Sequence, residues 1–354
     1  MLTGSHAAST LKNYNSKMVK FLGFLSTYML FDTARNGAHP TTPTITPTML
    51  MFFATHLVRT GFTSAGSIAG CCSATKQWRL IHDRPDPTLN PRTGVMDIRY
   101  LRLHRAIKRR LGTKASKREP LSVKDLRRVL RALRSGFTVH PIVTNDFCAA
   151  TLLAFYAMLR VSEFTDLLAS THNITIEACR GDITFFPAGA SEPEGFKFVV
   201  KCSKTDQFRT TQTLIIFRST DPDLCPVRAM QKLFDTDPRP STTPLFDFSA
   251  RTDNAPGRTV SAYRGRFIAG FQATLVFLGI STAVIQSHSL RSGGATAYLQ
   301  AGIDPYIIQR MGRWRSWCWM IYTWASTTHI QHAMRSIATC SDDSKPVNLE
   351  EVRW

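Results

Sequence analysis

A polar, basic stretch from Gly112 to Pro120 separates two blocks of apolar periodicity, so this chain is expected to fold around two cores rather than one. At 354 residues it is long enough for each block to bury a core of its own. In the first block Leu11, Met18, Phe21, Leu22, Phe24 and Leu25 recur at near-helical spacing between Ser9 and Met29, while Asn13, Lys17 and Lys20 can face water. Thr46-Pro47 reads as the cap and first residue of a second helix running to Arg59, where Gly61 can end it, and a third is expected from Ser64 to Ile81. Between Asp97 and Leu111, Leu103, Ile107 and Leu111 share one helical face. Arg102, Arg105 and Arg109 fall on the opposite one, with Lys108 beside them. A solvated surface would explain this face, but the basic run continues into Lys114, Lys117 and Arg118, which favours a surface that tracks phosphates.

The second block mixes patterns. Ser122 caps a helix, and the apolar run from Phe147 to Leu159 suits a buried one. Short β-branched or alternating runs at Ile174–Ile176, Ile183–Phe186, Phe196–Val200 and Thr210–Phe217 suit strands. Further helices are signalled by Cys225-Pro226, by Val260–Leu278, and by Asp304-Pro305 with a stop near Gly312. The expected class is α+β, mainly α with a small antiparallel sheet.

Lys and Arg number 44 against 25 Asp and Glu, a net charge of +19 that asks for a polyanionic partner. No run approaches the ~20 apolar residues of a spanning helix, and Thr3, Ser5 and His6 do not make a secretory signal, so no membrane association and an intracellular protein are expected. The eight cysteines form no C-x-x-C pair, which argues against a disulfide framework or structural zinc. His329 and His332 lie one helical turn apart, yet no nearby Cys, Asp or Glu completes a metal set. No metal and no cofactor are expected.

The most informative segment is Ser287-His288-Ser289-Leu290-Arg291-Ser292-Gly293-Gly294, where His and Arg three apart share a helix face. Alone, H-x-x-R is common by chance. Downstream, however, stand Gly312-Arg313-Trp314 and Met320-Ile321-Tyr322, and upstream Leu159-Arg160-Val161-Ser162-Glu163. Together these resemble the catalytic domain of the tyrosine recombinase (phage integrase) family: an early Arg with an acidic residue three positions on, H-x-x-R, a second His or Trp 23 residues after that Arg, and then a nucleophilic Tyr. Trp314 follows Arg291 by 23 residues. Tyr322 follows Trp314 by eight, one fewer than in many bacterial and phage members; that spacing and the Gly-Arg-Trp context are similar to crypton- and DIRS-type eukaryotic mobile elements.

The resemblance implies a helical core-binding domain (1–115) that clamps duplex DNA, a catalytic domain (116–340) and a C-terminal tail (341–354). It implies recombination and integration of DNA through a 3′-phosphotyrosine, by a homotetramer on paired sites in double-stranded DNA. The compartment would be the nucleus for a eukaryotic mobile element and otherwise the cytoplasm. Arg160 and Arg291 would hold the nonbridging phosphate oxygens, which gather negative charge in the transition state, with bidentate forks that a Lys point charge cannot reproduce. His288 would donate to the phosphate or accept the phenol proton. Trp314 would give one indole N–H and an apolar wall. Glu163 would orient Arg160, and Tyr322 would be the nucleophile, with Tyr298, Tyr306 and Tyr263 as rivals; Tyr298 and Tyr306 are expected to pack in the core. The family's general acid is a hairpin Lys: Lys204 at the turn between the two strands is preferred, with Lys201 and Lys197 still open. Trp317, Trp319 and Trp324 would pack the helix that carries Tyr322. A domesticated DNA-binding protein and a type IB topoisomerase are the competing readings.

Overall fold

The computed structural model describes residues 8–28, 44–112, 118–202, 211–249 and 260–322. Contacts cluster into two compact units, Met1–Ser116 and Lys117–Trp354.

The described part of the first unit is helical: α1 (Ala8–Thr27), α2 (Pro47–Arg59), α3 (Ala65–Ile81) and α4 (Ile98–Leu111). Side-chain oxygens of Thr46, Ser64 and Asp97 accept from the backbone of the first turns of α2, α3 and α4, satisfying N–H groups that a helix start leaves open. Phe21, Phe24 and Phe53 form the centre of its core, the rings of Phe21 and Phe53 meeting edge-on at 5.0 Å, and Ile107 of α4 closes the cluster. Burial of Ile107 turns Arg102, Arg105, Lys108 and Arg109 outward, and all four are exposed. Lys114 and Lys117 lie outside the described residues.

In the second unit α5 (Val123–Arg134), α6 (Thr144–Tyr156), α7 (Pro226–Thr236), α8 (Arg264–Phe277), α9 (His288–Gln300) and α10 (Pro305–Met311) surround a three-stranded meander of β1 (Ile183–Phe186), β2 (Gly195–Val200) and β3 (Gln212–Phe217). Both pairings are antiparallel, with Phe196 opposite Phe185 and Ile216, and Phe198 opposite Ile183 and Leu214. The alternation of β2 buries Phe196, Phe198 and Val200 and exposes Lys197. α6 is apolar all round and is packed by α5, α7 and α9, as its composition requires.

Three expectations need correction. Ile174–Ile176 is a turn, not a strand: Asn173 Oδ1 accepts from the N–H and hydroxyl of Thr175, and Asn173 O accepts from Ile176 and Glu177, so local bonds take the groups a ladder would need. α8 starts at Arg264 because Ser261–Tyr263 runs extended, the N–H of Asp166 donating to Ala262 O and that of Arg264 to Asp166 O. Residues Trp317–Tyr322 form a short 3-10 stretch rather than the start of an α-helix. Trp324 lies outside the described residues.

Candidate active site

The site is assembled within the second unit around the end of α6 and the start of α9. Behind α9, a side chain on Gly294 would strike Phe155 O and one on Gly293 would strike Leu121 O, so only glycines let α9 approach α6 and the chain leading into α5. That leading segment is itself paired to α9's approach, Glu119 N–H donating to Val284 O (2.9 Å) and Leu121 N–H to Ser289 O (3.0 Å).

α6 ends at Tyr156, and Met158 takes the left-handed conformation (φ 47°) before the chain runs extended into Arg160. Arg160 therefore caps a 3-10 turn, Val161–Glu163, instead of ending a helix. The buried Glu163 reaches back to it twice, accepting from Arg160 N–H at 3.0 Å and Nη1 at 2.9 Å. About a fifth of the Arg160 side chain stays accessible.

His288 and Arg291 occupy the first turn of α9, as their spacing predicts. Arg291 is buried; its Nη1 donates to Met158 O, its Nη2 to Gly312 O at 2.7 Å, and its guanidinium lies over the Trp314 ring, 4.3 Å from the centroid. His288 is half-buried. Burial foremost, then the charges of Arg291, Arg118 and Arg160, push its pKa down to about 4. At neutral pH it is an uncharged imidazole with a lone pair, beside three guanidinium groups. Arg118 is a member of that group which its sequence, seen only as part of a basic run, does not distinguish.

Trp314 sits against Met158, Ala295, Ile308 and Trp319. A side chain on Gly312 would overlap the Trp314 ring, so the Gly-x-Trp spacing serves to fold the indole back over its own backbone. Between them Arg313 (φ 60°) turns inward and pairs with Glu163 at 2.6 Å, a contact that no spacing between the two residues foretells. Trp319 is buried and tilted against Trp314 at 6.0 Å, whereas Trp317 is largely exposed. Tyr322 ends the 3-10 stretch, and its side chain lies outside the described part of the structure.

Of the rival tyrosines, Tyr298 is partly buried, its O–H donating to Tyr156 O at 3.1 Å and its pKa pushed up to about 12 by burial. Tyr306, expected in the core, is 57% exposed because the short α10 turns Ile308 inward instead. Tyr263 precedes α8 with its ring against Gly265.

Lys204 lies outside the described residues. Lys197 is exposed on β2. Lys201 is tied down: Nζ pairs with Asp182 at 2.7 Å and donates to Ile174 O at 2.9 Å and to Cys179 Sγ at 3.1 Å. Burial opposes its charge, but the bonds to Asp182 and Cys179 outweigh burial and hold its pKa above the ordinary lysine value. Lys201 thus fastens the base of the β2–β3 hairpin to the 174–182 loop.

The same loop brings Asp166, His172 and Glu177 together, their ligand atoms within 4.8 Å of one another. Each is engaged by hydrogen bonds: His172 Nδ1 to Asp166 at 3.0 Å, and Glu177 to the N–H groups of Leu167 and Asn173. His329 and His332 lie outside the described residues. Among the described residues no helix is long and apolar enough to cross a membrane.

No family model and no curated protein is matched by this sequence. Solved structures are. The XerH site-specific recombinase bound to palindromic difH substrate, a post-cleavage complex, aligns with a TM-score of 0.58 at 13% identity over 92% of this chain and 79% of that one. A lambda integrase dimer bound to a COC′ core site aligns at 0.52 and 16% identity, covering 90% and 89%. A lambda integrase tetramer bound to a Holliday junction aligns at 0.51 and 16%, covering 88% and 73%. The arrangement of helices around a small antiparallel meander is therefore that of the site-specific recombinases and integrases, and this chain has the tyrosine recombinase fold.

Proposed function

We propose that this chain is a DNA recombinase that cuts and rejoins strands through Tyr322. The observation that carries this reading is the convergence of Arg160, His288, Arg291 and Trp314, drawn from three separate segments of the chain, on one cationic spot in a unit of recombinase fold. In the reaction the Tyr322 phenol oxygen attacks a backbone phosphorus while the neutral His288 takes the phenol proton. The bond from phosphorus to the 5′ oxygen breaks, and Lys204 supplies the proton that oxygen needs. Arg160 and Arg291 neutralise the charge gathering on the nonbridging oxygens. The 3′-phosphotyrosine keeps the phosphodiester's bond energy, and the 5′ hydroxyl of a second strand reverses the step. Neither metal nor nucleotide takes part.

The first unit acts as the core-binding domain, with Arg102, Arg105, Lys108 and Arg109 of α4, together with Lys114 and Lys117, on the DNA backbone. A tetramer on paired sites is the working assembly, supported by the lambda integrase tetramer on a Holliday junction. The Gly312-Arg313-Trp314 sequence and the short interval to Tyr322 support a mobile-element branch, acting in the nucleus if the host is eukaryotic and otherwise in the cytoplasm.

The test uses nicked duplex taken from the repeats flanking the gene. Wild type is expected to form an SDS-resistant adduct and Tyr322→Phe none. Tight, salt-sensitive binding without any adduct would make the chain a DNA-binding protein that has lost the chemistry. Adducts on arbitrary duplex, with relaxation of supercoiled plasmid, would make it topoisomerase-like.

A further inference from the structure

Glu163 is a single buried carboxylate serving two guanidinium groups, and the second of these, on Arg313, has no part in the chemistry just described. Arg313 Nη2 lies 2.6 Å from Glu163 Oε2, while Arg160 Nη1 lies 2.9 Å from Oε1. Arg313 also donates through Nη1 to Ala157 O at 3.2 Å and through Nη2 to Met158 O at 3.5 Å, the same carbonyl that Arg291 Nη1 uses. Its side chain is 7% exposed, against 21% for Arg160. A buried guanidinium is retained at such a place only if its partners are held in good geometry.

We propose that Arg313 is a positioning residue which, by sharing Glu163, leaves net positive charge on the Arg160–Glu163 unit and keeps Arg160 aimed at the scissile phosphate. The inference rests on the recombinase reading above. A lone Arg160–Glu163 pair would be a closed, net-neutral unit, with the carboxylate free to engage the whole fork. Two guanidiniums on one carboxylate leave a net positive charge, and because Arg160 is the more accessible of the two, that charge is offered to substrate there. Residues 312–314 thereby support both phosphate-binding arginines at once: Gly312 O and the Trp314 ring hold Arg291, and Arg313 holds the partner of Arg160.

Single-turnover cleavage of the nicked duplex by the full chain tests this, with wild type, Arg313→Met, Arg313→Lys and Glu163→Gln. Arg313→Met is expected to cleave about 100-fold more slowly with DNA affinity changed less than about threefold, and Arg313→Lys to recover most of the rate because an ammonium still reaches the carboxylate. On Glu163→Gln, adding Arg313→Met should cost little more, since the carboxylate to be shared is gone. The decisive arm replaces a nonbridging oxygen of the scissile phosphate by methyl. That substrate carries no charge for Arg160 to neutralise, so the deficit of Arg313→Met should shrink to a few-fold, whereas a merely architectural role would leave it intact on both substrates. An undiminished deficit on the methylphosphonate, or an Arg313→Met rate equal to wild type, overturns the inference while leaving the recombinase reading standing. Absence of a wild-type adduct overturns both. Should Arg313→Met not fold, Glu163→Gln carries the same comparison across the two substrates.

Discussion

His288 should titrate far below an ordinary histidine in the free protein and rise when a phosphate enters the site. Its pKa stands at about 4 against 6.5, set first by burial and then by Arg291, Arg118 and Arg160. Arg118 is exposed, so its contribution is a screened one. Through a nearly aqueous dielectric a unit charge a few ångströms away is worth under ~1 kcal/mol, or roughly half a pKa unit. Arg118→Ala should therefore raise the His288 pKa by about that much. A phosphodiester seated between Arg160 and Arg291 acts in the opposite sense to those charges and at closer range, and should raise it by more than one unit. The measurement is a histidine-selective NMR titration, with the resonance assigned by its loss in His288→Gln. The linkage has a definite sign: between pH 4 and 6.5 the folded state holds fewer protons at this site than the unfolded chain does. The stability it contributes is present above pH 6.5 and disappears as pH falls through 4, so His288→Gln should flatten the fall in Tm across that window. A His288 that titrates between 6 and 7 in free protein, and ignores both Arg118→Ala and added phosphodiester, would refute the arrangement of cations around it.

Gly294→Ala puts a methyl group into Phe155 O and should cost several kcal/mol, more than the ~1–3 of ordinary overpacking because backbone must move; a Tm within 2–3 °C of wild type would show that α9 is not so close to α6. Lys201→Met breaks the pair with Asp182 and should lower stability by ~2 kcal/mol in denaturant unfolding while adduct formation survives, and Lys204→Met should do the reverse; the opposite pattern would exchange their roles. Replacing Arg102, Arg105 and Arg109 together by Ala should reduce the slope of log K against log salt by up to ~3, at ~0.9 per lost phosphate contact, with Tm unchanged; an unchanged slope would remove α4 from the DNA surface.

Much of the fold was legible because its signals are local. Thr46, Ser64, Asp97, Ser122 and Asp304 cap helices where a short polar side chain precedes an apolar period, and β2 alternates as a half-buried strand must. The site was legible as residue types at fixed offsets, since His288 and Arg291 need only one helical turn to share a face. What the sequence withheld was non-local. Ile174–Ile176 has strand composition, but Asn173 takes the Thr175 N–H with its side chain and the Ile176 N–H with its carbonyl, local bonds that composition cannot weigh. Tyr306 looks like a core aromatic until α10 proves too short to bury more than one face. Arg313 stands in plain view within Gly-Arg-Trp, yet its partner Glu163 is 150 residues away, and nothing in the spacing says that the two meet.

The way Arg291 is held has a stereochemical consequence. A guanidinium has five N–H groups in one plane. Here the carbonyls of Met158 and Gly312 take one donor from each terminal nitrogen, and the Trp314 ring covers one face. The group cannot rotate without breaking both bonds, so a phosphate must present itself edge-on to what is left of the plane. The two nonbridging oxygens of a DNA phosphodiester are diastereotopic rather than equivalent, and a donor fixed in this way distinguishes them. Sulfur placed at one of these oxygens should slow the reaction far more than sulfur placed at the other, and the identity of the sensitive isomer reports which nonbridging oxygen faces Arg291.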